Sequence, residues 1–475
     1  MTYERQVYLL DPQKLPPETI AVTFAKTSRS PESFRQIAAE LTDQKSSEFN
    51  AKWVVGYGHS SVAEHAVLHI AVENASRLAV ECIESNRLAS YTEKSTRYQT
   101  WPLDAFFIPE EWKNSPYLEE YRAINAHCFD AYAQFLPALI TAQQALCPKL
   151  DSESDATYRH RIRSSAVDVC RYLLPASSLA NVGITINARA LEHAISKMLS
   201  HPLDEVRQIG QEIKAAAREV TPTLLKYAEP IEYLREMDSK FCSLGDMTPA
   251  EEAGWFRLLE WDQNAVDKLL AGVYYRCSKD ATLGYSQSLK TIENLETAAK
   301  QSLLKSLLIE RDRHTIPMRE MEHIGFKFEV TLDQGAFYEV KRHRMMTLTP
   351  RRLTTALGYA VPKLVEVAGL SKEYQKVMLL ASATYARLAK VNADAAAYVV
   401  PNAFNRRFLI SVNLRSALHF IGLRSAPNAH FAIRRMAQKM AEEIGFALPE
   451  LLGLLPQCPG ESSHTIEEQY FSKIA

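Results

Sequence analysis

The sequence predicts an α+β protein in which one domain is built twice in tandem. Three observations carry that expectation. The segment from Gly58 to Tyr98, GHSSVAEHAVLHIAVENASRLAVECIESNRLASYTEKSTRY, has a degraded echo that runs from Glu322-His323 into Lys341-Arg342-His343-Arg344. A later segment, NARALEH from Asn187, returns as NLRSALH from Asn413. Stretches of strand-like alternation and of helical periodicity follow one another in both halves.

The elements can be read in order. Leu10-Asp11 resembles Trp261-Asp262, so each copy opens alike. Ala66 to Ala75 and Ile324 to Leu332 alternate apolar and polar residues, which predicts strands with one buried face. Gln99 to Val169 carries an extra helical stretch around Tyr117 to Ala145 that the second copy shortens. Thr185 to Leu199, Glu205 to Ala217, Asn413 to Leu423 and Ala429 to Leu451 place apolar residues three and four apart and read as helices. Gly245 and Pro249 mark a linker, giving a first repeat over 1–232, a linker over 233–255 and a second repeat over 256–475.

A chain of 475 residues is too long for one core and suits two or three domains, and the repeat argues for two. With 55 Lys+Arg against 56 Asp+Glu the net charge is -1, so no global field recruits nucleic acid or an anionic membrane, and any anionic ligand must be held by a local cluster. No window reaches the roughly 18 apolar residues of a membrane span, and Met1 to Glu18 lacks a secretory pattern, so the chain reads as cytoplasmic. Its seven cysteines are scattered with no C-x-x-C pair, which predicts reduced thiols. His65 and His69 lie four apart, but strand-like alternation around them argues against a metal, and Pro317 breaks helical spacing between His314 and Glu320-Glu322; no metal site is expected.

The candidate chemistry sits on two polar loops. Arg87, Ser90, Glu93, Ser95 and Arg97 put arginines, hydroxyls and a carboxylate on one short segment, and arginine grips phosphate through two parallel hydrogen bonds. The second copy presents Arg342-His343-Arg344 at the matching place, a denser cationic cluster suited to a pyrophosphate or an electron-rich ring. Arg351, Arg352, Arg406 and Arg407 read as solvated faces or subunit contacts, and Ser76-Arg77 as either shaping a turn into a helix or serving the site.

In their order these residues resemble the flavin-dependent thymidylate synthase family, whose signature is R-H-R-x-x-S continuing to E-x-S-x-R-Y. In the first copy His59, Ser61, Glu64, Ser76, Arg77, Arg87, Ser90, Glu93, Ser95, Arg97, Tyr98, Arg171, Pro175, Asn187 and Arg189 match the pattern. In the second the matches are Glu322, His323, Arg342, His343, Arg344, Pro401, Asn413, Arg415 and Arg424. The resemblance covers almost the whole chain, once per copy. It implies an antiparallel sheet with helices in each copy, a pseudo-dimer of two copies, and a homodimer of the tandem chain standing in for the family's homotetramer.

The departures are complementary. The first copy has Ser85-Asn86-Arg87 in place of R-H-R and Met198 in place of the late arginine. The second keeps R-H-R and Arg424, but the nucleotide-binding Glu, Ser and Arg have become Pro350, Arg352 and Thr354, and Arg171 is matched by Ala397. The resemblance therefore implies one composite site. In it Glu93, Ser95, Arg97 and Arg171 hold the dUMP phosphate and sugar, and Arg424 meets the pyrimidine ring as the catalytic arginine. His59, Ser61, Glu64, Arg87, Asn187, Arg189, Arg342, His343, Arg344, Asn413 and Arg415 serve FAD. The implied reaction is reductive methylation of dUMP to dTMP, with methylenetetrahydrofolate and NADPH as co-substrates and no protein nucleophile. Two other readings stay open: a related flavoenzyme alkylating another pyrimidine nucleotide, favoured by the rebuilt Pro350 to Gly358 loop, and a flavin- or nucleotide-binding regulator without turnover, favoured by the loss of one arm of the signature in each copy.

Overall fold

The computed structural model describes residues 6, 8, 10–27, 30–56, 60–97, 99, 101–242, 254–309, 315–456 and 460–473. Alternating burial builds two sheets. The first holds β1 (Val67–Ser76), β2 (Ala89–Glu93) and β3 (Leu179–Asn187) in the order β1-β3-β2, all antiparallel. The second holds β4 (Phe256–Trp261), β5 (Gly325–Asp333), β6 (Thr347–Pro350) and β8 (Asn405–Asn413) in the order β4-β5-β8-β6, with a small separate pair of β7 (Val361–Pro362) and β9 (Phe471–Lys473). Matching strands take matching places, because Val67 faces Asn187 in one sheet and Gly325 faces Asn413 in the other.

Local sequence sets where each strand gives way to a helix. Ser76 and Asp333 accept the backbone N–H three residues on, at 2.9 and 2.8 Å, and so cap the helices Arg77–Ile83 and Gln334–Val340. Asn187 and Asn413 do the same at 2.9 and 2.8 Å for the helices Ala188–Leu199 and Leu414–Arg424. This moves one expected boundary: Thr185 to Asn187 belongs to β3, where Val182, Ile184 and Ile186 are buried at a period of two, and the helix begins only past the cap. Helical periodicity read across a capping residue had merged a strand end with its neighbour. Within the linker assigned to 233–255, a helix spans Glu232–Cys242, and residues 243–253 lie outside the described ones.

Helices cover one face of each sheet and meet one another between the copies. The first copy's Leu118–Leu146 helix runs 29 residues and its counterpart Ser371–Leu388 only 18, and the two pack together with Phe135 6.5 Å from Tyr374. Behind the second sheet Phe326, Phe328 and Val330 are almost wholly buried, each contributing about 1.5–3 kcal/mol by leaving water. No helix among the described residues is long and apolar enough to cross a membrane.

The two copies join about a pseudo-twofold axis at Pro175 and Pro401, which face each other in a short antiparallel bridge. Ala176 N–H donates to the Val400 carbonyl and Asn402 N–H to the Leu174 carbonyl, each at 3.0 Å. Ser177 N–H donates to Tyr398 O at 2.9 Å and Ala403 N–H to Tyr172 O at 3.0 Å. The spacing that separates Asn187 from Asn413 turns each bond of a pair into the other, so the contact is isologous, as in a twofold dimer. Near the axis Asn402 also donates through its side chain to Arg171 O at 2.9 Å.

Candidate functional site

The axis brings the two complementary arms of the signature together within one chain. Glu93, at the end of β2, has a side chain only 2% exposed, which lies between Arg77 at 3.0 Å and Arg342 of the other copy at 3.4 Å. Burial pushes its carboxyl upward, but Arg77, Lys341 and Arg342 outweigh that and hold it below its ordinary value, so it is an anion at neutral pH. Arg77 does more than shape a turn, since its guanidinium also lies over the Tyr338 ring at 4.1 Å. Arg97 grips Asp168 through two bonds of 2.7 and 2.8 Å and reaches across the copies to Asn428 O at 3.1 Å. The Ser95 hydroxyl accepts from Arg97 N–H at 3.2 Å and fixes that turn.

At the centre sits Glu339, which the sequence reading did not single out. It lies one helical turn before Arg342, a spacing that pairs opposite charges on a helix and could have flagged it. Its carboxylate lies 3.0 Å from Arg424, 3.7 Å from Arg171 of the first copy and 3.8 Å from Arg342. Burial would raise its carboxyl, yet Arg342, Arg171, Arg424 and Arg97 bring it down to about 2. Arg171, 3% exposed, leaves Nε and Nη2 without a hydrogen-bond partner among the described residues.

Arg424 also donates from Nε to His343 Nε2 at 2.8 Å. That bond requires a neutral imidazole with Nε2 as acceptor, and burial followed by the Arg424 charge lowers the His343 pKa to about 3. The expected result is a His343 ring that NMR finds neutral down to about pH 4, while an exposed histidine titrates near 6.5. The sign follows from linkage: the unfolded histidine takes its proton first, so this group's share of stability is full above about pH 6.5 and is lost as the pH falls toward 3. A His343 titrating near neutrality would mean that the Arg424 bond is absent.

The remaining expected residues divide into groups. Arg344 donates to Arg87 O at 2.8 Å and Arg87 donates to Thr347 Oγ1 at 2.8 Å, so these two pseudo-equivalent arginines meet near the axis. Arg87, Met345, Thr347 and Asn413 line a cavity of about 690 Å³. Glu64 pairs with Arg189 and Glu322 with Arg415, and Ser61 is exposed on the short helix Ser60–His65. Asn187 and Asn413 are committed to capping. His59 and Tyr98 lie outside the described residues. Along β3 the Asn187 end stands five residues from Val182, the partner of Glu93, which is about 17 Å. The Asn187 end and the Glu93 end of the sheet therefore stand apart.

One assignment changes and two residues are added. Arg406 is not a solvated arginine: it is buried, donates to both Glu81 oxygens at 2.8 and 2.9 Å across the copies, and packs 4.8 Å above Phe337. Asp168 and His430 join the site unforeseen; buried His430 caps the Phe431–Ala447 helix, and its Nε2 lies 3.1 Å from Asp168 O. Arg351 and Arg352 are exposed as expected.

The second copy's cationic arm suits an anionic dinucleotide, because Arg342 and Arg344 keep partly open guanidiniums. The first copy's arm is closed on itself. Lys197 donates to Asn86 Oδ1 at 2.9 Å and to Ser85 Oγ, in the place where the second copy holds Arg342 and His343.

Comparison with known proteins agrees with this duplication. A family model described as Thy1, thymidylate synthase complementing protein, matches residues 10–223 and again 262–450. A UPF0159 protein of Thermoplasma acidophilum is 28% identical over 457 residues, covering 88% of this chain and 89% of its own length. A UPF0159 protein of Chlamydia muridarum is 28% identical over 426 residues, 85% of this chain and 80% of its own. The flavin-dependent thymidylate synthase of Clostridium tetani is 26% identical over 220 residues, 45% of this chain and 83% of its own. Among solved structures, the flavin-dependent thymidylate synthase ThyX from Helicobacter pylori, complexed with FAD and dUMP, aligns with 43% of this chain and 99% of its own at 18% identity and a TM-score of 0.32.

Proposed function

We propose a function from one premise: the chain belongs to the Thy1 family, the thymidylate synthase complementing proteins. On that premise the protein is a methyltransferase of the flavin-dependent thymidylate synthase type, acting on dUMP at a single composite site in each chain. The observation that carries this reading is the cluster in which Glu93, Arg97 and Arg171 of one copy meet Arg342, Glu339 and Arg424 of the other. Each copy has lost the residues that the other supplies, and the fold brings the survivors together.

In this reading Arg97 and Arg171 bind the nucleotide phosphate and Glu93 positions Arg342. Arg424, braced by His343 and Glu339, faces the pyrimidine and stabilises charge developing on its carbonyl edge. Arg342, His343 and Arg344 hold FAD, with Arg87 and Asn413 along the adjoining cavity and Ser61, Glu64, Arg189, Asn187 and Arg415 toward the far end of the sheets; His59, outside the described residues, belongs to the same group by the signature. Bound FAD, reduced by NADPH, supplies the hydride, and methylenetetrahydrofolate supplies the carbon. The tandem chain associates as a homodimer in place of a tetramer.

A second reading has an observation of its own. Glu339 already neutralises part of the positive charge of Arg171 and Arg424, which favours a flavin- or nucleotide-binding protein without turnover, or one with a less anionic ligand, and the full-length relatives carry no activity in their names. The visible spectrum of the chain with added FAD, titrated with dUMP, separates the readings. The expected result is about one FAD per chain, a spectrum perturbed by dUMP, and dUMP-dependent NADPH oxidation. A flavin spectrum indifferent to dUMP leaves the binding protein, two FAD per chain shows that the Ser85-Asn86 copy binds as well, and no flavin at all overturns the synthase reading and leaves a nucleotide-binding protein.

A further inference from the structure

The pseudo-twofold that builds the composite site also generates its mate, and the mate has been rebuilt. The relation that carries Arg87 onto Arg344 carries Glu339 onto Cys82, Arg342 onto Ser85 and Glu93 onto Pro350. Cys82, Ser85, Pro350, Arg352 and Ala397 all line one cavity of about 1310 Å³ between the copies. No residue of the family signature for holding a nucleotide survives in its second-copy wall, yet the cavity is strongly cationic.

Nine arginines and lysines line it against three carboxylates. Each of the three is committed: Glu81 to Arg406 at 2.8 Å, Glu84 to Lys341 at 2.9 Å and Asp394 to Arg352 at 2.8 Å. Arg207 pairs outside the cavity with Asp204, and Arg235 lies 3.9 Å from Glu232. Four cations remain whose described partners carry no negative charge. Lys197 holds only the neutral Ser85 and Asn86, Arg87 a threonine hydroxyl, Arg344 a carbonyl and the Tyr91 ring, and the Arg351 side chain has no partner among the described residues. His201 and His343, lowered to about 4 and about 3 chiefly by burial, add nothing to this excess at pH 7. Concentrating like charges in one cleft is unfavourable unless an anion answers them.

The geometry points to this cavity, which shares Arg87, His343 and Arg344 with the residues assigned to FAD but none with the nucleotide-binding cluster, as a second anion site that takes a nucleoside triphosphate. Four unanswered cations, three of them guanidiniums with parallel donors, match the several oxygens of a polyphosphate. The volume exceeds what a bare triphosphate fills, and Leu78, Phe337, Met346 and Leu353 provide an apolar wall for a nucleoside. Since Glu93, Arg97, Arg171, Arg342 and Arg424 do not line this cavity, while Lys197 and Arg351 belong to it alone, this binding goes beyond the proposed activity.

Calorimetric titration of inorganic tripolyphosphate and of ATP into the full chain, with FAD present in excess, tests the assignment. The expected result is one site per chain, ATP binding about tenfold tighter than tripolyphosphate, and weakening on going from 50 to 200 mM salt. The Lys197→Met/Arg351→Gln protein should lose about a hundredfold in affinity for both probes, and Arg97→Ala should leave it unchanged. The exposed Arg351→Gln alone, with a loss of about tenfold, keeps the test open if the double variant does not fold by circular dichroism. Equal affinity for the two probes would overturn the nucleoside part. No tripolyphosphate binding at 50 mM salt, equal binding by the variants, or loss of the site with Arg97→Ala would overturn the assignment, whatever the flavin spectrum shows.

Discussion

Replacing Glu339 by alanine is expected to destabilise the folded chain by about 3–5 kcal/mol, the largest single-residue effect at the centre of the molecule. The carboxylate is 11% exposed and faces Arg424, Arg171 and Arg342, two of which are themselves largely buried. Removing it leaves several guanidiniums repelling one another in a site that water reaches poorly, and that uncompensated charge sets the size of the loss. Urea unfolding should show a lower midpoint with an unchanged slope. Phosphate or sulfate should recover part of the loss by occupying the place of the carboxylate, since an ion that binds only the folded state stabilises it. The same logic fixes the acid limb for the wild type. Glu339 is held at about 2 against an ordinary 4.5, so its contribution is complete above about pH 4.5 and disappears as the pH falls toward 2. A loss below about 1 kcal/mol, with no recovery by anions, would show that the arginines find other partners and that the cluster is not held by its central anion.

The second large effect concerns where the site lies. Arg97→Ala and Arg342→Ala should each lower the rate at limiting dUMP by about a hundredfold, the scale of a lost charge-assisted bond to phosphate or to its neighbouring anion. Mixing the two inactive proteins should restore nothing. Arg342 reaches Glu93, and Arg97 reaches Asn428, inside a single chain, so neither mutant can lend its intact arm to the other without exchanging half a molecule. Recovery of activity on mixing would mean that the working pocket is shared between chains and that the intrachain cluster is not the site.

Much of this architecture was legible in the sequence. The repeat, the alternating strands around Ile70 and Phe328, and the helices after Glu205 and Asn413 are local patterns of period two or 3.6, and local patterns survive in one dimension. The complementary loss of signature residues also pointed to the meeting of Glu93 with Arg342. What stayed hidden were partners chosen by the pseudo-twofold. Asp168, His430 and the Glu81–Arg406 pair acquire their places only when residues hundreds of positions apart fold together; Arg406 and Glu81 are separated by 325 positions. Arg406 looked like one of four surface arginines because nothing in its neighbourhood along the chain announces a buried carboxylate. Asn187 was misplaced for the opposite reason: as a capping residue it belongs to two periodicities at once. The roles of the remaining flavin-side residues rest on the family signature rather than on contacts with the cluster.

The isologous bridge at Pro175 and Pro401 has a consequence for how such a molecule tolerates change. In a dimer of identical subunits every substitution near the axis is made twice, so a carboxylate introduced at one site enters its mate as well. Joined in one polypeptide, the halves meet at an effective concentration set by the connection between them rather than by expression level, and dilution does not part them. Each substitution then appears once. Position 339 can be a buried glutamate while its counterpart, position 82, is a cysteine, and the two wells of a once symmetric interface are free to drift toward different ligands.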